Sequence, residues 1–209
     1  MSEPLAADGP IDSSKRTWLI ASCCAGAAGG LAGVVPFVAS LQPSEKAKAA
    51  GAAVEVDISA LKPGEKMTVE WRGKPIWIVR RTPEQLAALP NLNGWLADPA
   101  SERKPTDQAP EYARNQTRSV EPEYLVVVGI CTHLGCSPSD KFMPGPQTSL
   151  PDDWQGGFYC PCHGSTFDLA GRVYKNKPAP DNLEVPPHTY LSDTRLFIGD
   201  DTQEPTRHV

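Results

Sequence analysis

Cys131-Thr-His133-Leu-Gly-Cys136 and Cys160-Pro-Cys162-His163-Gly-Ser165 decide how this 209-residue chain is read. Each box offers one Cys and one His at close spacing, plus one further Cys. Together they supply two thiolates, two imidazoles and a leftover pair of thiols. A mononuclear zinc site takes the four ligands and has no use for the extra pair. A dinuclear iron–sulfur centre in which two His replace two Cys on one iron takes the same four ligand types. Ligand identity alone leaves both readings open.

Composition narrows the class. The formal net charge is −5 and no long basic run appears, which argues against nucleic acid as a partner. The 22 prolines and 17 glycines favour a loop-rich β architecture over a helical bundle. The strands that bracket the boxes fit that picture. Leu125–Ile130 is a continuous apolar run leading straight into the first box, and Gly157-Phe-Tyr-Cys160 delivers the second. Buried strands give a metal loop a rigid base. Upstream, Val54/Val56/Ile58 and Met67/Val69/Trp71 alternate as strands, with a turn at Lys62-Pro-Gly64 between them. Ile76–Val79 reads as a third strand, and Arg172-Val-Tyr and Leu196-Phe-Ile as weaker ones. Thr82-Pro-Glu-Gln85 carries N-cap, first-turn Pro and capping-box residues, so a short helix should run to about Leu89.

The two boxes resemble those of the Rieske iron–sulfur proteins. The resemblance implies a 2Fe–2S cluster held by Cys131, His133, Cys160 and His163, with Cys136 and Cys162 as the disulfide tying the two ligand loops together. Ferredoxins and ring-hydroxylating oxygenases of the family usually lack that pair, so its presence points to the quinol-oxidising branch. Lys177-Pro-Ala-Pro180-Asp-Asn-Leu-Glu-Val-Pro-Pro187 resembles the proline loop that covers the cluster in bacterial cytochrome bc complexes. The implied fold is an all-β antiparallel Rieske head with an inserted cluster-binding subdomain, on one N-terminal transmembrane helix. The implied activity is electron transfer from ubiquinol to a c-type cytochrome, coupled to proton release. It would operate in a dimeric membrane complex whose cytochrome b subunit supplies most of the quinol pocket. His163 is expected to accept a hydrogen bond from ubiquinol, with His133 beside it, and proton coupling at these rings lowers the potential by ~59 mV per pH unit.

The resemblance also assigns the neighbours. Ser165 matches a hydroxyl that donates to a bridging sulfide, and Leu134 is expected to shield the cluster or simply to pack. Many respiratory members place a Tyr where this chain has Phe167, which implies a lower potential unless Thr166 compensates. Gly135, Gly164 and Gly171 are expected in tight turns. His188, His208 and the Arg80-Arg81 pair read as solvated. Residues 98–122 read as a long surface loop without chemistry, and the insert Ser137–Gly156 as a loop.

The N-terminal segment is uncharged from Trp18 to Leu41, roughly 36 Å as a helix, which favours a retained anchor over a cleaved signal peptide. Ser14-Lys15-Arg16-Thr17-Trp18-Leu19-Ile20 resembles a twin-arginine export signal with Lys in place of the first Arg. Gly26/Gly30 and Gly29/Gly33 have small-xxx-small spacing, Pro36 is placed to kink the last turns, and Cys23 and Cys24 read as small apolar residues. The expected organisation is 1–16 cytoplasmic N-terminus with export signal, 17–41 anchor, 42–53 hinge, and 54–209 periplasmic head on the bacterial inner membrane. The cluster-binding subdomain falls at about 130–178. The rivals are a structural zinc module and the Rieske subunit of another oxidoreductase, such as arsenite oxidase or an oxygenase component.

Overall fold

The computed structural model describes residues 13–44, 51–103, 108–200 and 202. The chain divides into two compact units, Met1–Lys48 and Ala49–Val209. In the first, helix α1 covers Ser13–Ser40, with Pro36 inside it. Its most apolar stretch has a mean hydropathy of 1.7, and none of its residues is buried. At ~1.5 Å per residue, 28 residues reach ~42 Å, which exceeds the thickness of a hydrocarbon core. Cys23 and Cys24 lie exposed on this helix, and Lys15 and Arg16 lie within its first turn. Half of the expected hinge, residues 45–50, lies outside the described residues.

Among the described residues, the second unit has nine strands in three antiparallel, three-stranded sheets. The first sheet orders β1 (Val54–Asp57), β9 (Arg195–Ile198) and β8 (His188–Ser192). The second orders β2 (Lys66–Trp71), β3 (Lys74–Arg80) and β4 (Tyr124–Val128). The third orders β5 (Ser139–Lys141), β6 (Gly157–Cys160) and β7 (Ser165–Asp168), and it lies between β4 and β8 in sequence, as an inserted subdomain should.

The middle sheet explains why β3 and β4 are apolar without alternation. Ile76, Ile78, Val126 and Val128 face one core with Val56, Leu196 and Ile198 of the first sheet. Trp77, Val79, Leu125 and Val127 face a second core with Phe158, Phe167, Cys131 and Cys160. A strand buried on both faces must be hydrophobic at every position. Trp77 stacks on Phe158 with ring centroids 5.0 Å apart, coupling the middle sheet to the third. Only Gly fits at 129, because a Cβ there would meet the Trp77 ring at 2.2 Å. Lys66 adds a link, donating to Asp140 of β5 at 2.6 Å and lying over Trp77.

Helix α2 (Pro83–Ala88) carries the full capping box: Gln85 N–H donates to Thr82 Oγ1, and Thr82 N–H donates to Gln85 Oε1. Several expectations need correction. Arg81 is buried and His188 is buried, whereas both were read as solvated. Segment 98–122 is not a bland surface loop: Asp98, Ser101, Arg118 and Ser119 are buried in it, and Glu111–Ala113 forms a short 3-10 turn. Arg172–Tyr174 makes isolated bridges to Phe167 and Leu96 rather than a strand. The insert 137–156 contributes strand β5 instead of loop alone. His208 lies outside the described residues.

Candidate metal centre

Strand β4 and the β6–β7 hairpin bring the two boxes together. Cys160 ends β6 and pairs with Ser165, which opens β7, so the second box is the hairpin's own turn. Gly164 N–H closes it on the Cys160 carbonyl at 2.9 Å. In the first box, Gly135 N–H donates to the Cys131 carbonyl at 3.1 Å and Cys131 N–H to the Cys136 carbonyl at 2.7 Å. Gly135, Gly164 and Gly171 all have positive φ, as the tight turns require. A disulfide between Cys136 and Cys162 joins the two turns across 6.7 Å between Cα atoms.

That leaves Cys131 and Cys160 as free thiols, both buried. His133 is half-buried and His163 exposed, and their rings meet edge to face with centroids 4.7 Å apart. Two thiols therefore sit inside and two imidazoles sit at the surface. Burial pushes the Cys131 thiol up, and Cys160, close enough to hydrogen-bond it, pushes the same way. The His133 backbone N–H and the Ser165 hydroxyl oppose this, pulling the Cys131 thiol down. Groups that favour the thiolate at a buried sulfur suit negative charge there, and two crowded thiolates need a cation between them. This donor set fits a 2Fe–2S cluster: two anionic sulfurs for one iron and two neutral nitrogens for the other. The sulfurs of Cys136, Cys160 and Cys162 also lie within 4.8 Å of one another. Two of those three are spent in the disulfide, so that trio is not a ligand set.

Leu134, in the turn of the first box, is 72% exposed, so the plain packing role expected as its alternative does not hold. The proline loop closes over the same region. Ala179 N–H donates to Ser165 Oγ at 2.9 Å, and Thr132 Oγ1 donates to the Asp181 carbonyl at 2.6 Å.

Sequence reasoning missed what supports this loop from below. Arg172 and Asp168 form a fully buried ion pair at 2.7 Å, and Asp168 also accepts from the N–H groups of Ala170 and Arg172. Arg118 donates to the carbonyls of Ala170, Gly171 and Leu183, and Arg81 to those of Thr117, Leu169 and Pro122. Burial pulls Arg81 and Arg118 down to about 10, with Asp168 opposing, so both stay charged at neutral pH. Three guanidinium groups thus staple the turn after β7 and the far end of the proline loop. The only signal in sequence was arginine beside turn-forming residues, which is also what a solvated surface shows.

A family model for the Rieske [2Fe-2S] domain matches residues 107–187. The chain is 54% identical to the ubiquinol–cytochrome c reductase iron–sulfur subunit of Allochromatium vinosum, over 95% of this chain and 94% of that one. It is 39% identical to the same subunit of Bradyrhizobium diazoefficiens, over 95% of this chain and all of that one. Among solved structures, a hyperthermophilic respiratory Complex III chain aligns at 27% identity and a TM-score of 0.45, covering 85% of this chain and 97% of its own. Fold, boxes and disulfide define a Rieske iron–sulfur protein. Identity across almost the whole length goes further, and the chain belongs to the iron–sulfur subunits of ubiquinol–cytochrome c reductase. It is therefore an electron-transfer subunit of an oxidoreductase complex, with a 2Fe–2S cofactor and cytochrome partners.

Proposed function

We propose that Cys131, His133, Cys160 and His163 hold the 2Fe–2S cluster, and that this chain takes electrons from ubiquinol at its His163 edge. What carries the reading is the sorting of donors, with free thiols buried and paired imidazoles at the surface. The bound cluster supplies a one-electron acceptor whose potential, about −150 to +300 mV for this ligand type, is raised because two neutral imidazoles replace anionic thiolates.

Every other part of the chemistry belongs to side chains of this chain. His163, being exposed, offers a ring nitrogen that accepts the quinol hydroxyl's hydrogen bond and then its proton. His133, less exposed, stands beside it as the second proton-exchanging ring. Ser165 accepts from Ala179, which leaves its own hydrogen to donate toward sulfur and stabilise added negative charge. The Cys136–Cys162 disulfide holds the two turns at fixed separation while protons and electrons move. Leu134, exposed beside the rings, gives the quinol's apolar parts a surface and limits water access.

The wider assembly follows from the same reading. Cytochrome b completes the quinol pocket, a c-type cytochrome receives the electron, and the complex is a dimer. Helix α1 anchors the chain once through the bacterial inner membrane, and the head lies in the periplasm, where a structural disulfide persists. Residues 1–16 remain cytoplasmic, 17–41 cross, 42–53 form the hinge, and 54–209 are the head with the cluster-binding subdomain at about 130–178.

The test is isolation of the membrane complex in mild detergent, followed by metal analysis, visible absorption and electron paramagnetic resonance after reduction. Iron, colour and a signal on reduction are expected, and Cys160→Ser should abolish all three. Colourless, zinc-bearing material would refute the assignment.

A further inference from the structure

We propose that Arg103 is a positioning residue for the cover of the cluster, reaching from the turn at 98–103 to pin the crest of the proline loop. The inference rests on the ligand assignment above and adds the element that holds the loop over it. The crest is Pro180-Asp181-Asn182. Arg103 Nη1 donates to the Pro180 carbonyl, and the same nitrogen lies 3.9 Å from the Asp181 carboxylate. Thr132, between Cys131 and His133 of the first box, donates to the Asp181 carbonyl. Successive carbonyls of the crest are thus gripped by two different elements, one by the latch and one by the box.

The base of the latch is built rather than incidental. The Asp98 carboxylate accepts from the N–H groups of Glu102 and Arg103 at 3.0 and 3.1 Å, which fixes the turn from which the Arg103 side chain departs. Ser101, at φ 58, holds a left-handed conformation that a non-glycine residue keeps only when its surroundings enforce it. Asn182, buried, enforces it: its Nδ2 donates to the Asp98 carbonyl at 2.9 Å and to Ser101 Oγ at 3.2 Å, while its Oδ1 accepts from Val173 N–H at 2.9 Å. Turn 98–103 and the crest therefore form one hydrogen-bonded body. Within it, Arg103 is the part that can be removed without opening the core, since its side chain is 45% exposed.

The experiment compares Arg103→Ala, Arg103→Lys and a control, Arg195→Ala, in the detergent-extracted complex. Arg195 pairs with Glu55 on the first sheet and is exposed. The reporters are the amides of Ala179, Leu183 and Val185, protected respectively by Ser165 Oγ and the carbonyls of Gly171 and Gln108. In Arg103→Ala, hydrogen exchange over 177–187 should quicken about tenfold, the loss expected for one charge-assisted hydrogen bond. The g-values of the reduced cluster and its midpoint potential should move with it. Arg103→Lys, which keeps the charge and one donor, should restore most of both, and Arg195→Ala should change neither. Unaltered exchange in Arg103→Ala overturns the proposal, and so does a loosened loop with g-values and potential left at wild type. A wild-type complex without any cluster signal would instead defeat the ligand assignment, while the exchange comparison would still judge the latch.

Discussion

Ser165→Ala separates two roles that one hydroxyl performs. Ser165 is buried at the start of β7, where its Oγ accepts from Ala179 N–H at 2.9 Å, which leaves its hydrogen free to donate, and its hydroxyl pulls the Cys131 thiol down. A hydrogen bond to a centre that gains negative charge strengthens on reduction. Losing ~1–2 kcal/mol of that difference lowers a one-electron potential by roughly 40–90 mV. The second role is structural, because Ala179 is buried and its N–H would lose its partner, at a cost of about 1–3 kcal/mol in the proline loop. A redox titration followed by electron paramagnetic resonance reads the first effect, and thermal loss of the same signal reads the second. Both should fall in Ser165→Ala, and Ser165→Thr should recover most of each. A midpoint left at the wild-type value, with stability reduced and the signal intact, would mean that the hydroxyl serves only Ala179. The sulfur-bond argument would then be wrong.

Phe167→Tyr tests the same electrostatics from the other side. Phe167 is buried in one cluster with Cys131 and Cys160, so a hydroxyl that reaches a ligand sulfur should raise the midpoint by roughly 40–90 mV, and an unchanged or lower value in the same titration would refute it. Replacing Cys136 and Cys162 together by Ser opens a link between residues 26 apart in sequence, which the chain-entropy account values at ~3–4 kcal/mol. The apparent melting temperature of the head should drop and the cluster signal decay faster, whereas equal stability with and without reductant would contradict this. Asp168→Asn leaves Arg172 buried without its counter-charge, at a cost of about 3–5 kcal/mol, and denaturant titration should show the midpoint falling with little change in slope.

What could be read in advance, and what could not, divides along the reach of each interaction. The turns of the two boxes were legible because their spacing is local: a Cys and a His two or three residues apart must lie on one turn, whatever the fold around them. Strands β3 and β4 were legible because burial on both faces leaves an unbroken apolar run. The Thr82 capping box was legible for the same reason, since its partners lie three residues apart. Arg81, Arg118 and Arg172 were not, because the acceptors that make their burial tolerable are carbonyls up to 88 residues away. Nothing near an arginine in sequence announces such acceptors.

Segment 98–122 shows why polar composition misleads at a site of this kind. A loop crossing above a buried charged centre cannot be packed by apolar residues alone, because its backbone has carbonyls and N–H groups to satisfy. Side chains able to do that, Asp98, Ser101, Asn182, Arg103 and Arg118, are the same types that ordinarily face water. A polar segment that returns over a metal loop is therefore ambiguous until the contacts are known. Here the buried Asn182 resolves it: an amide with its oxygen on Val173 and its nitrogen on the 98–101 turn leaves the proline loop one place to sit. That placement puts Asp181 within reach of Thr132, and so couples the cover to the residue lying between Cys131 and His133. The apolar strands set where the two boxes meet, and this polar frame sets how closely they are covered.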